Sequence, residues 1–179
     1  MNRTIRIAFC GILTALGLAL MYLAALIPVA TLTLPALAGL LLVIPVIEMG
    51  IRWALPVFAV TAILSYLFVP DKQAALVYSI FLGYYPIVKA LLERLKNKAL
   101  QWVIKFAVCN AALVPAYFLA VYALGIPKES MTVFGVYMPW VLWLFANGVF
   151  ALYDIAITGV VVFYIKRLHR QFSNWLKKK

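Results

Sequence analysis

The costliest residue to place in this chain is Asp154. It lies deep in an apolar stretch, far from either end of it. A carboxylate inside a bilayer costs several kcal/mol, of order 2.5–3.5 on insertion scales, unless it is paired, hydrated or protonated. Asn147 precedes it by seven residues and Thr158 follows by four, so helical geometry puts all three on one face. Asn110 is a second deep amide in the preceding apolar run. Two readings of this constellation stay open. One is a polar, solute-binding cavity between the last two apolar runs. The other is an interhelical hydrogen bond from Asp154 to Asn110 or to a tyrosine hydroxyl, which would lock a helix bundle.

Aromatic residues offer walls for such a cavity. Tyr84, Tyr117 and Trp143 lie deeper than an interfacial aromatic belt requires. They have the flat faces on which an organic solute stacks. Catalysis is poorly supplied. The chain has one His, five Asp and Glu, and no H-E-x-x-H, G-x-S-x-G or glycine-rich phosphate loop. Cys10 and Cys109 both sit inside apolar runs with no metal-type spacing and read as packing residues. The expectation is a protein that is not an enzyme and has no cofactor and no metal.

The elements that position these residues follow from hydropathy. Mean hydropathy is +1.05, and 67% of the 179 residues are hydrophobic. Apolar runs fall at about 7–27, 36–49, 53–69, 74–92, 101–124 and 138–165. A span needs roughly 20 residues, so the chain has room for one membrane domain, 1–179, and no soluble one. The run at 36–49 is the short one. The runs lack the alternation of barrel strands, and backbone groups in lipid must be satisfied within the segment, so the fold class is all-α. A retained first helix is expected at 7–27 rather than a cleaved signal, because no small-residue cleavage site follows a short apolar core.

Charge orients the bundle. With the N-terminus inside, Lys72 and Lys128 alone of the 16 Lys and Arg fall outside. The inner side collects Arg3, Arg6, Arg52, Lys89, Arg94, Lys96, Lys98, Lys105 and every cation from Lys166 onward. Such a bias predicts six helices in the plasma membrane with both termini cytoplasmic. It also accounts for the net charge of +11 without nucleic acid. The tail 166–179 places Leu168, Phe172, Trp175 and Leu176 at helical spacing among basic residues, the pattern of an amphipathic helix lying in the interface. His169 within it reads as a headgroup contact.

The first run has a strip of small residues, Gly11, Ala15 and Ala19, at spacing four. Such a strip lets another helix approach closely, inside the chain or from another subunit.

Taken together, these features resemble the substrate-binding S components of energy-coupling factor (ECF) transporters. The resemblance rests on the six expected helices, the chain length, the inner placement of both ends and the strip Gly11, Ala15, Ala19, which is similar to that family's Ala-x-x-x-Ala docking motif. The opening Arg6-Ile7-Ala8-Phe9-Cys10-Gly11 is similar in character to the start of many of its members. The resemblance implies capture of a vitamin-like solute from outside, between the first connector and the outer halves of the fourth to sixth runs. It also implies partners: a coupling transmembrane subunit and two cytoplasmic ATPases. Asp154, Asn147, Asn110, Tyr84, Tyr117 and Trp143 are the candidate solute contacts, and Gly11, Ala15 and Ala19 the candidate docking face. The alternative from another class is a membrane scaffold of the kind of the rod-shape-determining protein MreD, which needs a partner-binding helix face and no solute cavity.

Overall fold

A computed structural model of the chain describes residues 3–27, 30–119, 122, 132–133, 136–137 and 139–168. Its helices are α1 (Arg3–Leu26), α2 (Thr33–Leu41), α3 (Val43–Glu48), α4 (Ile51–Phe68), α5 (Lys72–Val77), α6 (Tyr85–Leu92), α7 (Lys98–Phe118) and α8 (Pro139–Phe163). One π-helical turn, Tyr78–Leu82, joins α5 to α6, and a second, Tyr164–Leu168, extends α8. A two-residue antiparallel ladder, Thr132–Val133 with Val136–Tyr137, lies between the apolar runs 101–124 and 138–165.

Five helical segments are long and apolar enough to cross a membrane: Arg3–Leu26, Ile51–Phe68, Lys72–Leu92, Lys98–Phe118 and Trp143–Arg167. The chain is an all-helical, membrane-embedded protein. The sixth expected span, 36–49, corresponds to the shorter apolar segment Thr33–Glu48. That segment is divided at Leu42 into a nine-residue and a six-residue helix, the second with Pro45 in it. Proline withholds a backbone donor from the helical ladder.

Local chemistry sets the helix ends. The Asp71 carboxylate accepts hydrogen bonds from the backbone N–H groups of Gln73 and Ala74, both at 3.0 Å, and so starts α5. The Asn97 side chain does the same for Ala99 and Leu100 at the start of α7. Gly50, with φ of +85°, turns the chain between α3 and α4 in a conformation that favours glycine. Pro86 sits in the first turn of α6, where its missing N–H removes no helical bond. The apolar run 74–92 thus contains a helix restart at Pro86 after the π-helical turn.

Two apolar clusters hold the bundle. In the first, Leu13, Met21 and Ala24 of α1 pack with Leu34 and Ala38 of α2 and with Ala54 and Val57 of α4. In the second, Tyr85, Cys109, Phe150 and Ile157 bring α6, α7 and α8 together. The Phe150 ring meets Tyr85 edge-on, with centroids 4.7 Å apart. Close approach is needed where α2 crosses the π-helical turn. A Cβ on Gly39 would fall on the Tyr153 hydroxyl and 2.6 Å from the Leu82 carbonyl oxygen. Outward faces carry exposed Leu67, Val103, Phe145 and Leu152. Apolar surface on this scale belongs against lipid or a partner rather than water.

Candidate functional site

Asp154 faces inward from α8 and is 3% exposed. Donors from two helices, α6 and α7, converge on its carboxylate. Tyr85 of α6 donates its hydroxyl to Oδ1 at 2.5 Å. Lys89, one turn further along the same helix, places Nζ 2.5 Å from Oδ1. Lys105 of α7 reaches both oxygens, at 2.9 and 3.1 Å. Lys89 Nζ also donates to the Asp154 carbonyl oxygen at 3.0 Å and to Thr158 Oγ1 at 2.8 Å. The partly exposed Glu93 completes the group, its Oε1 3.2 Å from Lys89 Nζ and 3.7 Å from Lys105 Nζ.

Two ammonium groups thus face two carboxylates. Burying ions is unfavourable, and mutual attraction offsets it only when the geometry is good and the remaining lone pairs and protons are satisfied. Both conditions hold here: each Asp154 oxygen accepts at least one bond, and each lysine meets both carboxylates. Such a cluster is an interhelical clasp. It joins α6, α7 and α8, and it leaves the carboxylate engaged by the chain's own donors.

Lys89 and Lys105, counted from sequence among the inner-side cations, are 2% and 4% exposed and lie within helices. The expected positive-inside bias therefore rests on the other cations assigned to the inner side from sequence. A signal for both residues was present in the sequence. Each falls within an apolar run, at 74–92 and 101–124, and Tyr85, Lys89 and Glu93 recur every four residues along one helix face.

The two deep amides find each other. Asn110 and Asn147 exchange reciprocal Nδ2–Oδ1 hydrogen bonds at 3.2 Å, joining α7 to α8. Each Nδ2 also donates to the carbonyl four residues back, Phe106 and Trp143 respectively. The candidate aromatic walls are dispersed. Tyr84 is half-buried edge-on to Phe58 of α4, Tyr117 lies edge-on to Phe118, and Trp143 is 48% exposed. Among the described residues the two amides pair with each other and Asp154 pairs with lysines and a tyrosine, while Tyr84 and Tyr117 make separate ring contacts.

A chamber does occur nearby. A partly enclosed cavity of about 220 Å³ opens among α2, α5, the π-helical turn, α7 and α8. Ala36, Phe81, Leu113, Ala146, Val149 and Tyr153 are among its lining residues, and none of the six candidate solute contacts is. Its polar group is the Tyr153 hydroxyl, which donates to the Leu82 carbonyl at 3.0 Å and lies 3.4 Å from that of Ala36. Three alanines, 36, 116 and 146, leave the space. Sequence reading passed over these residues because it sought polar contacts, and alanine in an apolar helix carries no distinguishing signal.

The docking candidates Gly11, Ala15 and Ala19 are exposed, and nothing lies within 4 Å of a Cβ placed on Gly11. The internal face of α1 is a different one, in which Gly17 meets Thr61. His169 and the rest of the tail from 169, like Pro127, Lys128 and Glu129, lie outside the described residues. Compared with protein families, curated proteins and solved structures, the chain has no match.

Proposed function

We propose that this chain is a membrane-embedded substrate-capture subunit, similar to an S component, for uptake of a small organic solute. Six membrane-crossing segments with both ends in the cytoplasm place the Leu32, Leu76 and Phe145 side of the bundle outermost. Separate ATPase and coupling subunits supply the energy, and the exposed strip Gly11, Ala15, Ala19 is the face that meets the coupling subunit.

The observation that carries this reading is the 220 Å³ apolar cavity between the first connector and α5, α7 and α8. Its place is the one expected for a solute in such a subunit. Its chemistry narrows the solute. The volume lies below the roughly 300–1,000 Å³ usual for drug-sized ligands, so the solute is small. With one phenol among apolar walls, it is mainly hydrophobic. Asp154 takes no part in binding and holds the wall of the chamber in place through the clasp.

A thermal-shift screen of small apolar metabolites tests this. A true solute raises the melting temperature of wild type, because it binds the folded state alone. It leaves Ala146→Phe, in which the cavity is filled, unshifted. Equal shifts in both proteins would remove the cavity from the account.

A scaffold is favoured by one specific observation: the deep polar groups Asp154, Asn110 and Asn147 are satisfied within the chain. On that reading Ala146→Phe is silent, and only substitutions on the exposed α1 strip disturb partner association.

A further inference from the structure

A second concavity, unrelated to the proposed solute chamber, runs along the outside of α8. It is an open groove of about 840 Å³ between α8 and Trp102 of α7. Asp154 and Thr158 line its deep end, and Lys166 and Arg167 its mouth. Ile155, Val162 and Phe163 form apolar walls, and Gly159 leaves the middle open, with nothing within 4 Å of where a side chain would begin. From Asp154 to Arg167 the helix rises roughly 20 Å at 1.5 Å per residue. One leaflet of hydrocarbon is roughly 15 Å deep, half of a 30 Å core. The groove is therefore long enough for a single acyl chain, and Ile155, Gly159, Val162 and Phe163 give its middle an apolar lining.

Its mouth is basic. Among the described residues neither Lys166 nor Arg167 has a carboxylate within ion-pair distance. The four carboxylates among the described residues are otherwise engaged. Asp71 caps α5, Glu48 accepts from Tyr164, and Glu93 and Asp154 hold Lys89 and Lys105. Glu129 lies outside the described residues, and the tail beyond Leu168 contains no Asp or Glu. Arg167 leans over the Phe163 ring at 6.0 Å, which keeps its charge at the groove rim. Trp102, 40% exposed, lines the groove from α7, its ring centroid 5.2 Å from Lys105 Nζ and so toward the Asp154 end.

We infer that this groove binds one anionic phospholipid, its phosphate between Lys166 and Arg167 and one acyl chain laid over Gly159 toward Thr158. Basic mouths on apolar interhelical grooves are where anionic headgroups settle.

The test is native mass spectrometry of the purified full chain, delipidated in detergent and titrated with phosphatidylglycerol or phosphatidylcholine. Wild type should retain one phosphatidylglycerol, with roughly tenfold or greater preference over phosphatidylcholine from two cations at the headgroup. Lys166→Gln/Arg167→Gln should lose that preference, and Gly159→Trp should lose the retained lipid altogether. Both sites face outward, and unchanged melting curves verify the fold. A tail variant, Lys177→Gln/Lys178→Gln/Lys179→Gln, should retain the lipid as wild type does. Equal retention of the two lipids by wild type would overturn the assignment. So would full retention by Gly159→Trp, or loss of the lipid in the tail variant alone.

Discussion

The Lys105 ammonium straddles both carboxylate oxygens of Asp154, at 2.9 and 3.1 Å, with each side chain 5% exposed. These residues are 49 positions apart and lie on adjacent helices. Their contact, shared with Lys89, gives the half of the bundle containing α6, α7 and α8 a fixed register that apolar packing alone does not specify. Apolar contacts between helices in lipid gain no hydrophobic drive, so polar contacts carry much of the specificity there.

Removing the carboxylate from this group leaves two buried ammonium ions facing only the partly exposed Glu93. Breaking a buried pair in this way costs about 3–5 kcal/mol. Asp154→Asn should therefore lower the melting temperature in detergent markedly. Adding Lys89→Met and Lys105→Met should recover most of the loss, because a fully apolar replacement is often neutral. A melting curve for Asp154→Asn that matches wild type would show that the clasp does not hold the helices.

The small residue at Gly39 has a separate role, since the backbone of the π-helical turn occupies the space a side chain would need. Gly39→Ala should destabilise by about 1–3 kcal/mol, the usual cost of overpacking. Gly11→Ala, with open space around it, should melt as wild type does. Paired thermal melts of the two variants check this, and equal stability would contradict the close approach of α2 to Leu82 and Tyr153.

How far the sequence revealed these features depended on the kind of signal. The long spans were legible because an apolar run of membrane length has few other uses, and α1, α4 and α7 begin within four residues of their expected starts. The division of 36–49 at Leu42 was not, since Pro45 announces a break without fixing its place. Asp154 stood out as a residue needing a partner, and a tyrosine hydroxyl was among the partners named. Lys89 and Lys105 were hidden by habit of assignment: a lysine near the end of an apolar run reads as a loop cation, and only the third dimension brings the two together. Asn110 was the amide named as a partner for Asp154, yet it pairs with Asn147, since amide and amide satisfy one another's donors and acceptors.

Topology rests on the loop cations that remain once Lys89 and Lys105 are set inside the bundle. A cysteine placed at Lys96 should react with a membrane-impermeant maleimide only after the membrane is opened, and one at Asp71 should react in intact cells. Reaction at Lys96 from outside would invert the bundle and move the 220 Å³ cavity to the cytoplasmic side.

The outward strip of α1 supplies a partner test. Ala15 is exposed, so Ala15→Trp should fold and melt as wild type. It should nonetheless lose co-purification with the proposed coupling subunit, because a large side chain prevents the close helix approach that small residues permit. Retained association would remove the docking face, and a failure to fold would mean that the strip packs within the chain.

The central claim is that the apolar cavity holds a solute, and the direct measurement is mass-spectrometric identification of small molecules that co-purify from the native membrane with wild type and with Ala146→Phe. The account predicts one small, mainly hydrophobic organic compound near stoichiometric amount with wild type and its absence from the variant. No bound compound in wild type, or the same compound in equal amount in both, would contradict it.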